Sequence, residues 1–284
     1  MACGHSHPRI NAKVKEQLEV LTHTTTIYLH DQQSLYAEEL CEKMPEGIDS
    51  VMFTSSGSEA NYLAGMLARN YTGNWPIVTL KNAYHGHVGS QHLSNLNNWN
   101  FDFPKLGGVE TAPFPDTYRG PFAPEDAAKM YADGIKETID FNTSGKIALM
   151  MIEPIQGAGG QYSHPEGYIN MAQEHCHAAG GLYLSDEVQT GFGRTGTHYW
   201  GCDLKGIKPD IISLAKSIGN GLPLAAVASS KKVMNSLQGK TTFITYSANH
   251  LAVAAGREVI KVIDDEGLQQ NAHERGLQFK SGFE

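Results

Sequence analysis

Short apolar runs alternate with amphipathic segments along most of this 284-residue chain. Six runs have the length of a strand, at 50–54, 76–80, 147–152, 181–185, 211–215 and 224–229. Segments with apolar residues at helical spacing occur at 9–21, 34–44, 58–69, 125–142, 166–179 and 251–264. Strands that are apolar throughout and alternate with helices are typical of a parallel sheet that is covered on both faces. The pattern therefore predicts an α/β fold.

The segment 93–124 departs from this pattern. It is rich in Asn, Pro, Gly and aromatic residues, and it shows little periodicity. Long ordered loops often help to form binding sites. We therefore predict that this segment is a loop on the surface, before the helix at 125–142.

Side chains that can do chemistry stand at the ends of three apolar runs. Glu153, Asp186 and Lys216 each follow such a run directly. Because ligands bind beyond the carboxyl ends of parallel strands, we expect these three side chains to share one site. A lysine in apolar surroundings can act as a nucleophile, because burial disfavours its charged form. The alternatives are a lysine whose amine reaches solvent from a strand end and an aspartate that caps a turn.

The run at 50–54 leads through a turn of small residues, Ser56 to Ser58, into a predicted helix. Free backbone N–H groups and the helix dipole make such a helix start a binding site for phosphate. The same residues fit a simple helix cap with Ser56 or Ser58 as the capping residue, so both interpretations stay open. Neither a Walker loop nor a GxGxxG fingerprint is present, which disfavours a dinucleotide-binding enzyme.

Tyr84 and His85 follow the run at 76–80. An aromatic ring at a strand end can stack on a flat ligand, and the adjacent histidine can polarise it. A buried tyrosine with a satisfied hydroxyl group is the alternative.

Composition excludes several classes of partner. The formal net charge is -8 and no run of Lys and Arg offsets it, which argues against nucleic acid. No apolar stretch is long enough for a membrane span. The four cysteines form no CxxC pair and the histidines do not cluster, so we predict neither a metal site nor a disulfide framework. Scattered cysteines fit a reducing compartment.

A lysine, a carboxylate, an aromatic ring and a phosphate cradle are together the parts that a pyridoxal phosphate enzyme needs. Five motifs in this chain resemble, in order and spacing, those of the class III pyridoxal-phosphate-dependent aminotransferases. They are SGSEA at 56–60, YHG at 84–86, EPIQG at 153–157, DEVQTGFGRTG at 186–196 and AKSIGNGLP at 215–223. The resemblance implies the large domain of a fold type I pyridoxal-phosphate-dependent transferase, with a mainly parallel seven-stranded sheet flanked by helices.

The resemblance also implies a role for each matching residue. Lys216 would hold the cofactor through an imine and then carry a proton, and Asp186 would pair with the pyridine nitrogen. The other cofactor-binding residues that it implies are Gly57, Ser58, Tyr84, His85, Glu153, Val188, Gln189 and Thr245. Thr245 would reach the phosphate bound by a neighbouring subunit, so a homodimer or homotetramer is implied.

Within the family, the chain is most similar to mitochondrial enzymes that transfer an amino group from an amino acid such as alanine to an oxo acid such as glyoxylate or pyruvate. A mitochondrial location is implied, with a cytoplasmic one as the alternative because no transit peptide is visible. Ala158 stands where ω-amine relatives carry an acidic residue, which argues against a glutamate-gated site. A phospho-lyase acting on amino-alcohol phosphates and an inactive truncated homologue are the alternative functions.

The family pattern divides the chain into three parts. Residues 1–30 would be the remnant of an N-terminal segment, 31–260 the cofactor-binding large domain, and 261–284 the start of a C-terminal small domain. The first strands of the family and most of that small domain, with the arginine expected to bind the substrate carboxylate, have no counterpart. We therefore expect the chain to be a fragment.

Overall fold

A computed structural model describes residues 1–87, 93–96, 98 and 107–284. Its strands are β1 Ser50–Thr54, β2 Ile77–Leu80, β3 Val109–Ala112, β4 Leu149–Ile152, β5 Ile155–Gln156, β6 Tyr162–Ser163, β7 Leu182–Asp186, β8 Ile211–Leu214 and β9 Ala225–Ser229. Seven of them form one sheet in the order β1-β9-β8-β7-β4-β2-β3, while β5 and β6 form a separate hairpin. The predicted α/β fold with a seven-stranded sheet is confirmed.

Strand β9 runs against the other strands of the sheet. It pairs antiparallel with both β1 and β8, whereas the remaining neighbours pair parallel. The start of β9, rather than its end, therefore lies at the edge where the other six strands finish. The loop before β9 reaches the same edge for that reason.

The helices within the described residues cover both faces of this sheet. They are α1 Pro8–Val20, α2 Asp31–Cys41, α3 Gly57–Thr72, α4 Pro124–Asn142, α5 Tyr168–Ala178, α6 Gly201–Leu204, α7 Lys231–Met234, α8 His250–Asp265 and α9 Leu268–Ser281. Alternate residues of the central strands enter different cores. Leu149 and Met151 pack in the core that contains α3, whereas Met150 and Ile152 pack in the core that contains α4, α5 and α8.

The expectation of a loop throughout 93–124 is wrong for the described residues that form β3. Among the described strands, β3 pairs only with β2, at the end of the strand order. Of its four residues only Ala112 is buried. Such a short, half-exposed strand shows neither an apolar run nor clear alternation. The β5–β6 hairpin escaped prediction for a similar reason, because each of its strands has only two residues.

None of the described helices is both long and apolar enough to cross a membrane. Within the same residues, no three His, Cys, Asp or Glu side chains are grouped so that they could hold a metal ion.

Candidate active site

A cavity of about 230 Å³ opens at the edge of the sheet where the parallel strands end. Nine residues predicted from the sequence line it: Gly57, Ser58, Tyr84, His85, Glu153, Asp186, Val188, Gln189 and Lys216. Leu222, Pro223 and Leu224, from the loop before β9, close another side. The tenth predicted residue, Thr245, is exposed in a turn and does not line this cavity.

Lys216 begins a short 3-10 helix, Lys216–Gly219, just beyond β8. Its backbone lies in the left-handed region, with φ at 50°. This conformation costs a non-glycine residue about 1–2 kcal/mol, and such outliers are concentrated at functional sites. The Lys216 Nζ atom donates a hydrogen bond of 2.8 Å to Oε1 of Gln189. This hydrogen bond holds the amine of Lys216 beside the loop that follows β7.

Asp186 is the last residue of β7, and its side chain is almost fully buried. Its Oδ2 atom lies 2.7 Å from Nδ1 of His85 and accepts a hydrogen bond of 2.9 Å from Nδ2 of Asn61. Its Oδ1 atom accepts a bond of 3.1 Å from the backbone N–H of Val188. The carboxylate is therefore fixed in orientation by groups from α3, the loop after β2 and its own loop.

Glu153 joins two loops at the edge of the cavity. Its carboxylate accepts hydrogen bonds from the backbone N–H groups of Tyr84, at 2.9 Å, and Gly157, at 3.0 Å. Burial raises the pKa of Glu153. Its backbone carbonyl lies 2.9 Å from Nε2 of His164, and burial lowers the pKa of that imidazole to about 4.

The cavity includes the N-terminus of α3. The Ser56 hydroxyl caps this helix by accepting a 3.2 Å bond from the Glu59 N–H, so the helix-cap interpretation describes Ser56 correctly. The Ser58 hydroxyl accepts a 3.0 Å bond from the His87 N–H. Gly86 lies so close that an added Cβ atom would be 2.3 Å from Oγ of Ser58. The loop after β2 is therefore packed directly on the first turn of α3.

The groups around the cavity suit a ligand that carries both a flat ring and an anion. The first N–H groups of α3 have no partners within the helix and attract an anion. The Ser55 hydroxyl, which also lines the cavity, is buried and has no hydrogen-bond partner among the described residues, so it can serve the same anion. Tyr84 and Val188 supply apolar surface, and Asp186 supplies a buried negative charge.

Asn61 is a site residue that the sequence reasoning missed. It is buried in α3, and its Nδ2 atom donates to Asp186 and, at 3.0 Å, to the carbonyl of His85. The signal was an amide on the otherwise apolar buried face of α3, because a buried amide requires polar partners elsewhere in the fold.

The fold and this cavity together define a fold type I α/β protein with a lysine, a buried carboxyl group and a helix N-terminus at one edge of the sheet. The family model for class III aminotransferases matches residues 1–284. The chain belongs to the class III aminotransferases.

Two curated relatives match almost the whole chain. The mitochondrial alanine–glyoxylate aminotransferase 2 of Homo sapiens is 36% identical over 298 residues, which cover 97% of this chain and 58% of the relative. The mitochondrial alanine–glyoxylate aminotransferase 2 homolog 2 of Arabidopsis thaliana is 39% identical over 271 residues, which cover 95% and 56%. The chain therefore spans somewhat more than half the length of these relatives.

Solved structures of transaminases share the fold. An amine transaminase from an uncultivated Pseudomonas species, in a PLP-bound form, has a TM-score of 0.91 and 30% identity, with 97% of this chain and 67% of that chain covered. A phospholyase from Arthrobacter, in complex with phosphoethanolamine, has a TM-score of 0.85 and 30% identity, with 94% and 64% covered.

Proposed function

We propose that this chain is the cofactor-binding part of a pyridoxal-phosphate-dependent aminotransferase. The observation that carries the proposal is the convergence of Lys216, Asp186 and the N-terminus of α3 on one cavity, in a chain of the class III family. The amino donor is an amino acid such as alanine, and the acceptor is an oxo acid such as glyoxylate or pyruvate. The names of the relatives support this choice of substrates. When bound, the cofactor supplies a protonated pyridine ring that accepts electrons from the substrate.

In this proposal Lys216 is the catalytic residue. Its Nζ atom would hold the cofactor covalently, and as a free amine it would hold the proton that moves during the reaction. Gln189 already accepts a hydrogen bond from this atom, so it orients the amine. Its side chain would also bind the phenolic oxygen of the ring.

Asp186 would keep the ring nitrogen protonated by placing its carboxylate beside that atom. His85 and Asn61 hold that carboxylate in place through their contacts with Oδ2. Glu153 orients the site indirectly, because it fixes the backbone of Tyr84.

Gly57 and Ser58 at the start of α3 would hold the phosphate, and Tyr84 and Val188 would supply the apolar surfaces for the ring. Gly57 packs closely against Val188 and Ala215, since a Cβ atom added to Gly57 would lie 3.3 Å from each of them. A helix N-terminus and a pair of apolar surfaces are together what a phosphorylated ring requires.

A second copy of the chain completes the site in this proposal. Thr245 lies outside the cavity, in a turn that packs against another segment through the stacked rings of Tyr246 and His23, 4.7 Å apart. Leu29 and Tyr28 in that segment are strongly exposed apolar side chains, as an interface between subunits requires. Thr245 would then reach the phosphate of the partner in a homodimer or homotetramer. Sedimentation of the cofactor-loaded chain as a monomer would contradict this.

The mitochondrial relatives support a mitochondrial location for this protein.

The decisive experiment is a titration of the purified chain with pyridoxal phosphate, followed by borohydride reduction and peptide mapping. We expect a visible absorbance change and a covalent adduct on Lys216, and loss of both in Lys216→Ala. Lys240→Ala, which changes an exposed lysine, is the matched control and should behave as wild type. An adduct located elsewhere, or none at all, would refute the cofactor assignment and favour an inactive homologue.

A phospho-lyase is the second candidate, because the Arthrobacter phospholyase shares the fold at 30% identity. Its products distinguish it from a transaminase. Release of ammonia and inorganic phosphate from phosphoethanolamine, without transfer of an amino group to an oxo acid, would identify this activity.

A further inference from the structure

Glu187 lies between two residues that face the cofactor cavity, but it does not line the cavity itself. Its side chain is buried and accepts four hydrogen bonds. Oε1 accepts from the Ser185 hydroxyl at 3.0 Å and from the Cys202 N–H at 2.7 Å. Oε2 accepts from the Thr190 hydroxyl at 2.5 Å and from the Gly201 N–H at 2.8 Å.

These hydrogen bonds, rather than a neighbouring cation, offset the burial of Glu187. Burial raises the pKa of this carboxyl, while the four donors favour its charged form. A buried carboxylate costs several kcal/mol unless it is paired or hydrogen-bonded. The four hydrogen bonds to Glu187 therefore fix the segments that carry the donors relative to one another.

The constraint acts on the loop at 186–190. The Glu187 carboxylate ties this loop to the start of α6, and its backbone N–H donates a 3.0 Å bond to Ser213 of β8. Its carbonyl accepts a 3.0 Å bond from the Gly191 N–H. The side chains on either side of Glu187 line the cavity, and that of Gln189 also contacts Lys216.

We propose that Glu187 is a positioning residue for the cofactor. Its carboxylate holds the loop at 186–190 against α6. This keeps the side chains of Asp186 and Val188 at the cavity and that of Gln189 beside Lys216. This inference rests on the proposed function. A residue that only stabilised the fold would affect thermal unfolding without a specific effect on cofactor affinity.

Glu187→Gln is a sharp test because it is not conservative at this position. Both carboxylate oxygens accept from a backbone N–H, so an amide NH₂ group at either place faces another donor. A buried donor left unsatisfied costs about 1–3 kcal/mol. The matched control is Glu258→Gln in α8, which replaces another buried carboxylate, one that contacts Arg9 and does not line the cavity.

Two measurements separate positioning from general stability. The first is the dissociation constant for pyridoxal phosphate, measured by absorbance. We expect it to rise at least about tenfold in Glu187→Gln and to stay near wild type in Glu258→Gln, even where both lower the melting temperature. The second is hydrogen exchange in the cofactor-free chain. Amides at 188–190 and 201–202 should exchange faster in Glu187→Gln alone.

If Glu187→Gln does not fold, Thr190→Val is the milder variant, because it removes one donor and keeps the side-chain shape. Thr138→Val is its control, since Thr138 donates within α4 to the carbonyl of Gly134. Wild-type cofactor affinity in the folded Glu187 or Thr190 variant would overturn the inference and leave the proposed function intact. Failure of the wild-type chain to bind the cofactor would instead overturn the proposed function, and this inference with it.

Discussion

Asp186 is oriented by contacts with Asn61, His85 and the backbone N–H of Val188. Asp186→Asn keeps the size of the side chain but removes the carboxylate, so under the proposed function the ring nitrogen would lose the partner that keeps it protonated. We expect the variant to retain cofactor on Lys216 and to lose activity by about 10²-fold or more. Transamination assays and the absorbance of the bound cofactor measure the two effects separately.

Asp133→Asn is the control for this prediction, because Asp133 lies on the surface of α4 and pairs with Lys129. It should change neither rate nor spectrum. An Asp186→Asn variant with an unchanged rate would show that the charge has no role in the chemistry.

His164 makes stability depend on pH. Burial lowers the pKa of its imidazole to about 4, whereas an unfolded histidine titrates near about 6.5. As the pH falls below about 6.5, the unfolded state therefore takes up a proton that the folded state does not, and stability falls until about pH 4. The loss attributable to this residue is about 3 kcal/mol.

Urea unfolding across this pH range should show a shallower loss of stability for His164→Gln than for wild type. His5→Gln, at an exposed histidine, should follow wild type. Equal acid sensitivity in all three proteins would mean that the folded state does not resist protonation of His164.

The site residues that could be predicted are those at the ends of strands. Glu153, Asp186 and Lys216 follow apolar runs, and the parallel sheet places their positions at one edge. Asn61 could not be predicted, because its role depends on which face of α3 packs beside Asp186, 125 residues further along the chain. The contact of Thr245 with a partner subunit stays a prediction, since it requires a second chain.

At the scale of elements, the packing of the loop after β2 on α3 depends on Gly86. Its φ of +107° is rarely adopted by other residues, and a Cβ atom would lie 2.3 Å from the Ser58 hydroxyl and 2.7 Å from the Ser58 Cα. We expect Gly86→Ala to push the loop away from the phosphate cradle and to weaken binding of pyridoxal phosphate at least about tenfold.

Gly145→Ala separates backbone strain from this steric effect. Gly145 also has a positive φ, +76°, but no atom of the described residues lies within 4 Å of the added Cβ atom. It should cost about 1 kcal/mol of stability and leave the cofactor affinity unchanged. Equal loss of affinity in both variants would contradict the role of Gly86 in the cradle.

Elements with strong periodicity could be predicted, and those defined by pairing could not. Helix α3 and strand β7 each carry their own apolar pattern, whereas β3 is held by its pairing with β2. The antiparallel direction of β9 could not be predicted from its own residues either, because a buried strand has the same composition in either direction.

At the scale of the whole molecule, the last two helices differ in their contribution to the core. Helix α8 buries most of its residues, whereas α9 has no buried residue. We expect a chain ending at residue 268 to melt within a few degrees of the full chain. A chain ending at residue 249 should not fold, because it lacks α8.

Thermal unfolding followed by circular dichroism measures both truncations. A large loss of stability on removing α9 alone would show that the helix belongs to the same cooperative unit as the sheet. The division of the chain at residues 260 and 261 stays a prediction that these truncations help to locate.

Helix α1 packs against α8, and Arg9 in α1 contacts both Glu258 and Asp265. Likewise, within the part of the chain that the structure describes, β1 pairs only with β9. During synthesis, the first helix and the first strand therefore emerge long before the partners that bury them. Contacts so distant along the chain slow folding and leave apolar surface and an unpaired strand edge exposed in the meantime. The nascent chain should thus depend on chaperones until α8 has left the ribosome.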